Sequence, residues 1–102
     1  MEKDFEVSVF CKTLNIVLGK DLATDNATYL GEELDKYKYE KIDKVVFDAT
    51  KLEYISSFGV RAVMLCLQRY NNSEVEFVNA GRRIIEVFEM TGLNRYIKFV
   101  KR

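Results

Sequence analysis

Val45-Val46-Phe47-Asp48-Ala49-Thr50-Lys51-Leu52-Glu53-Tyr54-Ile55-Ser56-Ser57-Phe58-Gly59-Val60-Arg61 is the stretch that decides how this chain folds. Its opening, Lys44 to Asp48, is a short β-branched and aromatic run, the composition of a central strand covered on both faces. A polar turn follows. Beyond Ser56 and Ser57, the residues Val60, Val63, Met64, Leu67 and Tyr70 recur at helical spacing, widened by Leu65 and Cys66. Strand, turn and helix in that order place Ser57 at the N-cap or in the first helical turn, beside unpaired backbone amides.

The same alternation continues on both sides. Downstream, Asn71-Asn72-Ser73 ends the helix, and Val75 to Val78 forms another strand. Ile84, Val87, Phe88 and Thr91 share a helix face, with Gly92 placed as a left-handed stop and Leu93 as its apolar contact. Ile97, Phe99 and Val100 make a terminal strand. Upstream, Ala27, Leu30, Leu34 and Tyr37 define a helix with Thr24, Asp25 and Asn26 as candidate N-caps. Before it, Phe5, Val7, Val9 and Cys11 alternate with polar positions, and Leu14, Ile16 and Leu18 repeat the pattern after a turn near Thr13, which reads as a hairpin. The order β-β-α-β-α-β-α-β predicts an α/β fold, a mostly parallel central sheet with an N-terminal β-hairpin and three crossover helices.

Composition narrows the function. The chain has 102 residues, room for one domain spanning residues 1–102 with one core. Sixteen basic and sixteen acidic residues cancel, and the basic ones are scattered. That argues against a nucleic-acid or anionic-membrane partner. The sequence contains no histidine, which rules out a Ser-His-Asp triad and the usual zinc sites, so binding is expected in place of catalysis, without metal or cofactor. A charged N-terminus and the lack of a long apolar run point to the cytoplasm. Cys11 and Cys66 read as small buried hydrophobes, and the scattered tyrosines as residues at the core's edge.

In an open α/β sheet, partners gather beyond the carboxyl ends of the strands. Two turns fall there: Leu22-Ala23-Thr24-Asp25-Asn26, and Tyr54-Ile55-Ser56-Ser57-Phe58-Gly59. A phosphate on Ser57 would be solvated by helix amides and would add roughly −1.5 to −2 charges. Gly59 leaves room for another backbone to approach, or for tight packing within the chain itself. Phe58 is an apolar residue at a helix start, and Arg61 lies one turn further on. Cap, phosphoacceptor, or both remain open readings for the serine pair from the residues alone.

The stretch from Val45 to Arg61 resembles the signature of STAS domains, and within them of bacterial anti-sigma factor antagonists. Asn79, the helix from Arg82 to Glu89 and the run Phe88-Glu89-Met90-Thr91-Gly92-Leu93 are similar to the family's closing helix, and Leu22 to Leu30 to its turn before the first helix. The resemblance implies a STAS-like fold. It also implies a protein that binds an anti-sigma factor with serine kinase activity, frees a sigma factor, and is switched off by phosphorylation. Ser57 occupies the acceptor position, with Thr24, Asp25, Ser56, Phe58, Gly59 and Arg61 around it as partner-binding residues; a phosphatase would reset the cycle. Many members carry Asp where this chain has Ala23 and Ser56. A constitutive interaction module whose serines only cap the helix is the alternative, and a nucleotide-binding module a weaker one, since no Gly-rich phosphate loop is present.

Overall fold

The computed structural model describes residues 4–102. A five-stranded sheet runs in the order β1-β2-β4-β6-β7, with β1 Phe5–Phe10, β2 Thr13–Leu18, β4 Lys44–Asp48, β6 Glu74–Val78 and β7 Lys98–Val100. β1 and β2 are antiparallel, and every other neighbour is parallel. Helices α1 Thr24–Asp35, α2 Ser57–Arg69 and α3 Arg82–Thr91 make the crossovers, and a 3-10 turn at Leu93–Tyr96 precedes β7. Sequence and structure therefore agree on the sheet, the hairpin and the three helices. Two further strands carry no periodic signal in the sequence: β3 Asp21–Leu22 and β5 Tyr54–Ile55, which pair in parallel as a second small sheet.

Strand order determines where the core lies. From β2 to β7 the chain always steps in one direction across the sheet. Right-handed crossovers then put all three helices on one face. Leu14, Ile16, Leu18, Val45, Phe47, Val75 and Phe77 point to that face and are buried together with Leu30, Leu34, Val63, Ile84 and Phe88. Phe47 stacks on Phe77 at 4.6 Å between ring centres, and Phe88 meets Phe77 edge-on at 5.1 Å.

The other face has no helix, so β4 is not layered on both sides. Val46 is nevertheless buried, because its register neighbours Asn15 and Glu76 flank it. Glu76, the one buried charged residue among those described, is ion-paired with Lys44 at 3.0 Å and accepts from Arg102 at 3.2 Å. A buried carboxylate needs such partners, because leaving it unpaired costs several kcal/mol, on the order of 3–5.

Several details depart from the sequence reading. Cys11 is exposed, because it and Lys12 form the hairpin turn with φ of 50° and 63°. Tyr39, Tyr54 and Tyr96 are exposed as well, whereas Tyr70 is buried. The N-cap of α1 is Ala23, which has no capping side chain. Asn26 turns back instead: its amide donates to the Asp21 carbonyl at 3.2 Å, and its oxygen accepts the Asp4 amide at 3.1 Å. β3 runs to Leu22 and α1 begins at Thr24, so only Ala23 is left between them to serve as the cap. Gly92 behaves as expected, closing α3 at φ 78°.

Candidate functional site

The first turn of α2 is built by the small sheet beneath it. Glu53 and Tyr54 amides donate to the Lys20 carbonyl at 2.7 and 3.1 Å, and the Ser56 amide donates to the Leu22 carbonyl at 3.1 Å. Ser56 takes the extended conformation of an N-cap, φ −94° and ψ 174°. Its hydroxyl oxygen accepts the Gly59 amide at 3.3 Å, while its carbonyl accepts the Val60 amide at 2.9 Å. The cap is thus made by Ser56, half-buried in the turn. Ser57 is the first helical residue and is exposed, and its hydroxyl has no partner among the described residues.

Gly59 is buried, and its missing side chain is a requirement of packing. A Cβ there would collide with the Leu22 carbonyl oxygen and lie 2.7 Å from Ile55 Cγ1. The backbone that approaches it is the chain's own β3. Phe58, by contrast, is 57% exposed. Arg61 is exposed and makes no ion pair among the described residues. The first turn of α2 carries no acidic residue, so the positive end of its dipole is uncompensated.

Two clefts meet at Phe58. One, of about 390 Å³, lies between α2 and the end of α3 and is lined by Ser57, Val60, Arg61, Met64, Thr91 and Leu93. The other, of about 480 Å³, runs between α1 and α2 over Ala27, Gly31, Ala62, Leu65 and Cys66. Arg69 and Asp35, 2.8 Å apart, bridge the two helices along it. Burial pushes the Cys66 thiol up to about 12, against a weaker opposing pull from Arg69, so this floor is apolar and unreactive near neutral pH.

Of the residues singled out in the sequence, Ser56, Ser57, Phe58 and Gly59 share this one turn, and Arg61 follows one turn along α2. Asp25 is exposed in the first turn of α1, which β3 and β5 hold beside α2. Thr24 opens α1, but its side chain lies outside the described residues. Met64, Thr91 and Leu93 were not foreseen as walls of a cleft. The Thr-Gly-Leu run was the available signal, since a helix stopped there delivers its last turn to the neighbouring helix. Among the described residues no cluster of His, Cys, Asp and Glu could hold a metal, and no helix is long and apolar enough to cross a membrane.

A mixed sheet with three helices on one face defines a small α/β domain with an exposed serine at a helix start. The STAS domain pattern matches residues 6–102, and the chain belongs to that family. Its fold is similar to that of the anti-sigma factor antagonist SpoIIAA in its unphosphorylated form, with a TM-score of 0.82 at 15% identity over 93% of this chain and 86% of that one. The Bacillus cell fate determinant SpoIIAA in its phosphorylated form gives 0.75 at 16% identity, over 93% and 89%. An anti-sigma factor antagonist from Mycobacterium paratuberculosis gives 0.79 at 13%, over 94% and 83%. At such identities the likeness is one of fold. No curated protein matches the sequence significantly.

Proposed function

We propose that this STAS domain is an anti-sigma factor antagonist that binds an anti-sigma factor with serine kinase activity through the first turn of α2 and is released when Ser57 is phosphorylated. The reading rests on a division of labour between two adjacent hydroxyls. Ser56 is engaged as the cap, which leaves Ser57 exposed and without a structural task. In the transfer, Ser57 Oγ bonds to the γ-phosphorus of ATP, its proton leaves and ADP departs.

The phosphoryl group would meet the free amide end of α2 and Arg61 one turn along, so the domain tolerates it. Its partner would not, because a patch centred on exposed Phe58 would acquire roughly −1.5 to −2 charges. A phosphatase then restores the binding form. The fold similarity to SpoIIAA supports the reading at the level of architecture.

The test is reconstitution with the serine kinase encoded nearest to this gene. Phosphopeptide mapping is expected to find the phosphate on Ser57, with Ser56→Ala still a substrate and Ser57→Asp binding at least about tenfold more weakly. Phosphate on Ser56, or undiminished binding by Ser57→Asp, would reject the switch; the second result selects a constitutive interaction module.

A further inference from the structure

The two edges of the main sheet differ. β7 has three residues, begins with Lys98 and is followed by Lys101 and Arg102, the kind of short, charged edge that discourages pairing. β1 has six residues, Phe-Glu-Val-Ser-Val-Phe, with no proline, glycine or lysine. Its register with β2 runs one to one from Phe5 opposite Leu18 to Phe10 opposite Thr13, so no bulge turns it away.

The phase of that ladder determines which peptide groups are free. Two residues with positive φ, Cys11 and Lys12, close the hairpin as a type I′ turn, so Phe10 and Thr13 exchange hydrogen bonds. Alternation makes Ser8 and Asn15, then Glu6 and Val17, the next bonded pairs. The Gly19 amide, donating to the Asp4 carbonyl at 2.9 Å, continues the same phase. The N–H and C=O groups of Phe5, Val7 and Val9 therefore point away from β2, along the outer edge. The side chains of these three residues are only half-buried, on the helix-covered side of the sheet. Among the described residues, free backbone groups and unfinished apolar packing run along one line.

We propose that this edge is a self-association surface, on which β1 of a second copy pairs antiparallel about a two-fold axis through Val7. A strand that pairs with itself in this way must match its free groups with one another, and β1 does. Val7 opposes the second copy's Val7, and Phe5 opposes its Val9, so every bonded position meets a bonded position. On the other face Glu6 opposes Ser8, so no like charges meet, and Phe5 with Val9 is a favourable aromatic–β-branched pair. The five-stranded sheet is thereby doubled into one continuous sheet. The α2 turn with Ser57 lies elsewhere, so the inference stands apart from the proposed switch.

The experiment is sedimentation equilibrium of the full chain, whose protomer mass is 11.9 kDa. A concentration-dependent dimer is expected. Val7→Pro removes the outward N–H and breaks no hydrogen bond to β2, which an edge strand tolerates, so this variant should keep its circular dichroism and weaken dimerisation at least about tenfold. Val7→Cys in a Cys11→Ser background should form a disulfide-linked dimer under mild oxidation, since bonded pairs sit ~5.5 Å apart between Cα atoms. A wild-type chain that stays monomeric to about 1 mM overturns the proposal. So does an undiminished Val7→Pro dimer. Should Val7→Pro fail to fold, the disulfide trap decides: a dimer that yields no Val7→Cys cross-link uses another surface.

Discussion

Gly31 and Gly59 each sit inside a helix, and replacing each by alanine should move stability in opposite directions. Glycine costs a helix interior about 1 kcal/mol relative to alanine. At Gly31 nothing lies within 4 Å of the position a Cβ would take. Gly31→Ala therefore recovers that whole amount, a stabilisation of about 1 kcal/mol. At Gly59 the Cβ meets the Leu22 carbonyl oxygen and lies 2.7 Å from Ile55 Cγ1. Both sides of this contact are main chain or locked core, so α2 and β3 must separate. Overpacking costs roughly 1–3 kcal/mol, and the hydrogen bond from the Ser56 amide to Leu22, worth about 1, is stretched. Set against the propensity gain, Gly59→Ala is destabilised by about 2 kcal/mol. The two variants should then melt at least ~12 °C apart, given about 4–8 °C per kcal/mol for a domain of this size. Urea titrations with m unchanged would read the same difference as a shift of midpoint. Gly59→Ala as stable as wild type would refute the close approach of β3 to α2, and with it the geometry assigned to the serine turn.

Two further measurements probe the same region. Ser56→Ala should lose about 1 kcal/mol in a denaturant titration as its cap disappears, whereas Ser57→Ala should stay within about 0.5 kcal/mol of wild type; equal losses would contradict the roles given to the two hydroxyls. In the folded protein a thiol reagent at pH 8 should modify Cys11 alone, with Cys66 reacting only on unfolding. Because burial raises the Cys66 thiol from 9.0 to about 12, its contribution to stability is complete below pH 9 and declines as pH rises from 9 to 12, where the unfolded chain holds fewer protons. An alkaline series comparing wild type with Cys66→Ala would show that extra decline in the wild type only.

The parts legible in the sequence were those with a repeating signal. Lys44 to Asp48, the α2 stripe and the glycine stop of α3 each carry a period or a steric requirement that leaves little choice. β3 and β5 were not legible, because two residues cannot display a period and their pairing joins positions far apart in the chain. The α1 cap was misplaced for the same reason, since that helix starts where β3 releases the chain. Ser57 stood out by its position before a helix, but the division of capping between it and Ser56 depended on which hydroxyl faced Gly59. Hydrogen-bond direction of that kind is not written in residue spacing. The helix-free face misled too: a β-branched strand reads as covered on both sides whether its cover is a helix or, as for Val46, the side chains of adjacent strands.

The small parallel pair of β3 with β5 closes the chain between Asp21 and Ile55 into a ring that carries the starts of α1 and α2 together. The turn at Ser57 is held there by amides donating to the carbonyls of Lys20 and Leu22, and main chain yields far less than side chains do. Charge placed on such a mount alters the electrical potential felt by an approaching molecule while the outline it meets stays fixed. Under the proposed switch, a phosphate on that mount would act on a partner by attraction or repulsion at a distance, before any surfaces touch.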